Sequence, residues 1–404
     1  MRNIARLALS AALALGCTSL AGAQAPAADR DYSVSKPERE ALQALQTAVT
    51  ARDVAGARSA YSTAQSVAQG SDGRYLAGAL LFHLGVDTGD RRLQLQGIDA
   101  MVASGVPTSD QLPSLYRNQA SLAASSGDNK KAEAALLKLA ELKPDDVEAL
   151  IALAQIKATQ KKASQALTLL DRAIAMRRGS GQPVPESWYK FAVRTAFDAK
   201  LVPETAKFAR DWIAAYPSTE NWRDAISDYR DIAALDKASD VDALRLMRFT
   251  RALAGERDYY LVAESLTKAG YAGEAKAVLD EGIAAKAVDA GKAPVAARPN
   301  AKKIAADKAA LAKAEKSALA SATGTAALNA ADSYFGFGQY EKAVPLYRAA
   351  LQKGSVDAGL VNTRLGMALA MSGNKAEAEA ALRAVTGTRT DLAALILVWV
   401  GQRS

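Results

Sequence analysis

Apolar residues recur along this chain three and four positions apart, and the runs are separated by single glycines or short polar stretches. That spacing lines one face of an α-helix and rules out the two-residue alternation of a half-buried strand. Residues 127–144 show the pattern clearly: Gly127 marks a turn, Ala132, Leu136 and Leu139 form a stripe, and Pro144 ends the helix. The preceding stretch from Pro113 carries Tyr116, Ala120 and Ala123 at the same spacing, with Gln119 departing from type, so 113–146 reads as a helix-turn-helix of 34 residues. A second such unit, 147–180, follows without a gap, with Leu150, Leu153, Ala154, Ala166, Leu170 and Ala173 in register.

The skeleton recurs elsewhere. Leu45, Ala57, Tyr61 and Ala64 carry it near Pro37, with Arg52 and Asp53 in place of the turn glycine, and Ala263, Gly270, Ala275 and Leu279 carry it in 256–289. Two more units close the chain: Ala330, Ala331, Tyr334, Gly338, Ala343, Tyr347 and Ala350, then Leu365, Gly366, Leu369, Gly373, Ala378, Leu382 and Val385. The apolar run 392–400 predicts a final helix packed on the preceding hairpin. Residues 75–107, 188–217 and 222–256 are weaker copies; the first has Gln94 where a small residue is expected. Eight to nine hairpins are predicted in all.

This alternation of small residues between paired helices and Leu, Tyr or Phe between neighbouring pairs resembles the tetratricopeptide repeat superfamily. The resemblance implies an all-α, right-handed superhelical solenoid of helix-turn-helix repeats. It also implies a protein or peptide partner on a concave face made by the first helix of each pair, where Arg117, Gln155, Tyr260, Glu264, Asp332 and Arg364 are the matching outward positions. Ser121, Gln155 and Asp332 stand where some relatives place the Asn of a carboxylate clamp, so binding of a carboxy-terminal tail is not implied.

Charge modifies the picture in one place. Residues 286–316 hold eight basic side chains against three acids, whereas the whole chain carries +8. The basic character is therefore a local property of an Ala/Lys-rich insertion, 286–320, and does not describe a uniformly cationic groove of the kind nucleic acid requires. Ile304, Leu311 and Leu319 predict one narrow apolar stripe on its helix, with lysines exposed. A contact with anionic envelope polysaccharide or lipid is the alternative to a solvated helix.

The amino terminus reads as a secretory signal: Arg2 and Arg6, the apolar stretch 7–15, and a small-residue site that places the cut after Ala23. The expected organisation is signal peptide 1–23, linker 24–36, solenoid 37–285, insertion 286–320 and a carboxy-terminal pair with capping helix 321–404, in a periplasmic protein. Lipid attachment at Cys17 is the alternative, but the order Leu15-Gly16-Cys17 inverts the usual one. A chain cut after Ala23 contains no cysteine, which removes disulfides and thiol chemistry.

Catalytic groups are sparse. His83, the sole histidine, sits in the apolar stretch 80–84, so no multi-histidine metal site can form. Gly336-Phe337-Gly338 lies at a hairpin bend and lacks the Lys-Ser/Thr of a phosphate loop. Asp145 and Asp146 fall where a helix starts, which acidic side chains favour. No cofactor or metal is expected, and the reading is a non-catalytic scaffold of the cell envelope; a carboxylate site in the degenerate centre is the remaining enzymatic alternative.

Overall fold

The computed structural model describes residues 31–289 and 298–403. The expected signal peptide with its cut after Ala23, Cys17, most of the 24–36 linker and Lys292 lie outside the described residues. Every regular element among the described residues is a helix, and the helices pair as hairpins in an all-α repeat solenoid. They fall into two compact units that divide between Val184 and Pro185.

Unit 1 stacks four hairpins: α1 (Lys36–Thr50) with α2 (Val54–Val67), α3 (Ser71–Asp87) with α4 (Arg91–Ala103), α5 (Leu112–Ser125) with α6 (Asn129–Leu142), and α7 (Val147–Thr159) with α8 (Ala163–Gly179). Each hairpin packs on the next one in sequence. Aspartates start four of these eight helices. Asp53, Asp90, Asp128 and Asp146 each accept a hydrogen bond from a backbone N–H of the first turn, satisfying donors that the helix leaves unpaired. The turn before α2 puts Arg52 at φ +54°, a left-handed conformation that Gly127 adopts at φ +81° without the Cβ cost.

The small residues expected between paired helices lie in the interior. Ala57, Ala123, Ala132, Ala154, Ala166 and Ala173 are all fully buried. In α3/α4 the backbones approach closely, because a Cβ on Gly97 would lie 2.5 Å from the Phe82 backbone nitrogen and 2.6 Å from the Gly78 carbonyl oxygen. Gln94 now has a reason: its side-chain amide donates to the Gly85 carbonyl across the hairpin at 2.8 Å.

Unit 2 begins with α9 (Glu186–Asp198) and α10 (Val202–Ala215), then α11 (Thr219–Ile232), α12 (Lys237–Phe249), α13 (Gly255–Lys268) and α14 (Ala272–Ala284). After the insertion helix α15 (Ala301–Ala320) come α16 (Gly324–Gly336), α17 (Tyr340–Lys353), α18 (Ala358–Met371), α19 (Lys375–Arg383), a short 3₁₀ turn at Gly387–Arg389, and α20 (Thr390–Gln402). Here stacking is not only between neighbours. The final helix α20 packs on α19 as expected, but also returns to α10 and α12. Gln402 fastens it by donating to the Ile213 carbonyl at 2.8 Å and accepting from the Trp222 indole at 3.1 Å.

The insertion helix α15 meets its neighbours along Leu311 and Ala318, both buried, with Ile304 half-buried. Leu319 is 57% exposed, so the expected stripe is corrected at its last position. Ile304, Leu311 and Ala318 are seven residues apart and stay on one face, whereas Leu319 is a further ~100° round the helix.

Candidate functional site

Helix α12 has no solvent face of ordinary extent: seven consecutive residues, Val241 to Met247, are buried. Two of them, Asp242 and Arg245, are charged, and both are fully excluded from solvent. A buried charge is tolerated only when paired and hydrogen-bonded. Unit 2 achieves this by converging side chains from five other places in its sequence.

Arg245 makes a bidentate contact with Glu274 of α14, with Nη2 at 2.7 Å and Nε at 3.0 Å, while its Nη1 donates to Asp242 at 2.9 Å. Its guanidinium carbon lies over the rings of Tyr271 and Phe335, 4.7 Å from each centroid, a cation–π contact with both. Arg364 of α18 donates through Nε to both oxygens of Asp242, at 3.1 and 3.2 Å, and through Nη1 to Asp332 of α16 at 2.5 Å. Arg389, from the 3₁₀ turn, completes Asp242 at 2.8 Å. Tyr347 and Tyr271 donate to the two oxygens of Asp332 at 2.7 and 3.1 Å.

Three guanidinium groups thus face three carboxylates. Burial pushes the Asp242 carboxyl up, but Arg364, Arg245 and Arg389 overcome that and hold it below the usual carboxylate range. Burial likewise disfavours the charged form of Arg245, and Glu274 with Asp242 reverses the effect, leaving it well above the usual arginine value. The Tyr347 hydroxyl is driven well above the ordinary phenol range by burial and by Asp332, which fixes it as a donor. Chemically the arrangement spends its charges chiefly on one another, although Arg389 Nη2 is buried without a hydrogen-bond partner, its nearest carboxylate being Asp236 at 3.8 Å.

This corrects the orientation expected for two positions. Asp332 and Arg364 do not point outward; they are 6% and 3% exposed, and the structure brings them together beneath α12. The physical reason is that α12 occupies the space that these first-helix faces border, so their side chains meet protein in place of solvent. The other four behave differently. Arg117 is exposed and reaches Asp146, the cap of α7, and Gln155 is exposed on α7 itself. On α13 the Tyr260 hydroxyl donates to Glu256 at 2.5 Å, and Glu264 pairs with Lys268 at 2.5 Å. Among the described residues, no hydrogen bond or ion pair joins these four to one another. His83 is half-buried beside Asp87, with Nδ1 3.5 Å from the carboxylate.

Sequence reasoning missed Asp242, Arg245, Tyr271, Glu274 and Arg389. The available signal was the pair Asp242 and Arg245, three residues apart inside an apolar run of α12. Polar ties between hairpins were missed too: Gln119, off-type in its repeat, donates to Asp99 at 2.6 Å, and Lys131 pairs with the same carboxylate at 2.5 Å. Lys157 and Gln160 bind Glu133 in the same manner one hairpin on, at 2.5 and 2.6 Å.

The family model for the tetratricopeptide repeat matches residues 117–183 and 328–391, one stretch in each unit. Among solved structures, a tetratricopeptide repeat protein from Parabacteroides merdae shares 13% identity, with 83% of this chain and 100% of that one covered at a TM-score of 0.29. The maize pentatricopeptide repeat protein PPR10 shares 14%, covering 89% and 61% at 0.26, and the APC/C hetero-tetramer Cut9-Hcn1 shares 12%, covering 92% and 65% at 0.25. No protein of curated function matches the chain.

Proposed function

We propose that this chain, which belongs to the tetratricopeptide repeat superfamily, is a non-catalytic scaffold of the bacterial envelope that holds a partner protein on the first-helix face of unit 1. Repeats of this superfamily generally act as protein-protein interaction scaffolds. The observation that carries the choice of unit is the fate of equivalent positions. Asp332 and Arg364 in unit 2 are consumed by a buried network and Tyr260 and Glu264 of the same unit are half-buried and paired on α13, while Arg117 and Gln155 in unit 1 remain exposed on α5 and α7. A face already covered by its own chain offers no area for a partner, and a specific interface needs on the order of 800 Å² from each side. The envelope location rests on the basic, apolar and small-residue segments of residues 1–23.

A photo-crosslinking residue at Arg117 or Gln155, expressed in intact cells, should give discrete protein adducts in the envelope fraction. The same residue at Lys276 of α14, which is exposed in unit 2, should give few. Equal adducts from both units would remove the assignment to unit 1. A lack of adducts above background at every position would remove the scaffold reading itself.

A further inference from the structure

The geometry points to the lysine face of α15 as a docking surface for an anionic lipid bilayer. With 20 residues, α15 is the longest helix described, and only Leu311 and Ala318 of it are buried. At ~100° per residue, Lys302, Lys313 and Lys316 fall within about 60° of one another and opposite the buried stripe. All three are exposed, as are Lys303 and Lys308 on the flanks.

The two acids of the helix do not dilute this face. Asp307 binds Lys303 at 2.8 Å, and Glu315 accepts from the buried Tyr334 hydroxyl at 2.6 Å on the packed side. The helix is also held rigidly. Lys353 of α17 donates to the carbonyls of Ala318, Leu319 and Ser321 at 2.7–2.8 Å, satisfying acceptors that the end of α15 leaves free.

A straight row of point charges without planar hydrogen-bonding partners matches the headgroup plane of an anionic membrane. Between the lysines stand alanines and Ser317, with no aromatic platform or amide of the kind a sugar ring uses. Leu319, 57% exposed, shares a flank with Lys308, where a lysine stem and an apolar side chain can enter the headgroup region together. Because the main apolar stripe is already packed on the protein, the helix lies on the surface and does not insert. The attraction is therefore electrostatic, roughly fivefold in partition for each lysine, and screened by salt. The proposal is independent of whether unit 1 holds a protein partner.

The test is cosedimentation of the purified protein with vesicles of phosphatidylcholine alone or mixed with phosphatidylglycerol. The protein should pellet with the mixed vesicles at low salt, stay in solution with the neutral ones, and be released by added salt. The variant Lys302→Gln/Lys313→Gln/Lys316→Gln should lose about a hundredfold in partition, while Lys130→Gln/Lys268→Gln/Lys276→Gln should keep binding. All six side chains are exposed, and an unchanged circular dichroism melt verifies folding. Equal binding to neutral vesicles, no pelleting at low salt, or unchanged binding by the α15 variant would overturn the proposal. So would retention on isolated cell-wall polysaccharide with none on vesicles.

Discussion

Unit 1 and unit 2 are built from the same hairpin and satisfy their polar groups in opposite ways. In unit 1 the ties run between neighbours at half-exposed positions, as in Asp99 with Gln119 and Lys131 or Glu133 with Lys157 and Gln160. In unit 2 three arginines and three carboxylates meet in the interior, and the partners come from helices far apart in the chain. The difference teaches that a repeat array stays open when each unit needs only its neighbours, and closes when one helix supplies charges that only distant repeats can neutralise.

The largest expected effect comes from breaking that closure. All four tryptophans, Trp188, Trp212, Trp222 and Trp399, lie in unit 2, so their fluorescence follows this unit, while far-ultraviolet circular dichroism follows both. Asp242→Ala would leave Arg245, Arg364 and Arg389 with only Glu274 and Asp332 as buried counter-charges, one short of neutrality. It should cost roughly 3–5 kcal/mol in the tryptophan-monitored denaturation, because unpaired buried charge is retained. An unmoved tryptophan transition would mean that the network does not hold α12.

A smaller loss is expected from Gly97→Ala in unit 1. The added Cβ meets backbone atoms of α3 that cannot rotate away, so α3 and α4 must part, at about 1–3 kcal/mol. The circular dichroism transition should shift while the tryptophan transition moves less. A variant as stable as the parent would show that the hairpin has slack that the 2.5 Å approach denies.

The smallest effects separate the units by pH. Glu38 of α1 accepts the backbone N–H of Ser35 at 2.7 Å and that of Gly70 at 3.1 Å, and these hydrogen bonds hold its carboxyl below the usual range. Its contribution is present above the unfolded-state value near ~4.3 and is lost as pH falls through the lower folded one. Asp228 of α11 behaves conversely. Burial first, then Asp224 and Asp231, push it up to about 6, with Asp198 adding and Arg194 opposing. Its ionised form therefore costs stability above about pH 6, and the cost vanishes below the ordinary carboxylate range. Asp228→Asn should stabilise by about 1 kcal/mol at neutral pH, after allowance for partial exposure, and Glu38→Gln should destabilise by a similar amount. Denaturation midpoints across pH 4 to 8 would read both; a gain from Asp228→Asn that persists at low pH would refute the assignment of its cost to ionisation.

What the sequence by itself determined is what neighbouring residues settle. Helices, the aspartate start of α7 at Asp146, the turn at Gly127, and the small residues Ala123 and Ala132 at the crossing within a hairpin were all legible, because each depends on contacts within one 34-residue unit. Gln94 and Gln119 were legible only as departures, since their partners, Gly85 and Asp99, sit on an adjoining helix whose distance the pattern does not specify. The tertiary structure alone decided that Asp332 and Arg364 face inward. Arg364 meets Asp242 across 122 residues and Arg389 meets the same carboxylate across 147, separations at which helical periodicity carries no information. The periodicity says which face of a helix a residue occupies; whether that face meets water or a buried counter-charge depends on where α12 comes to rest.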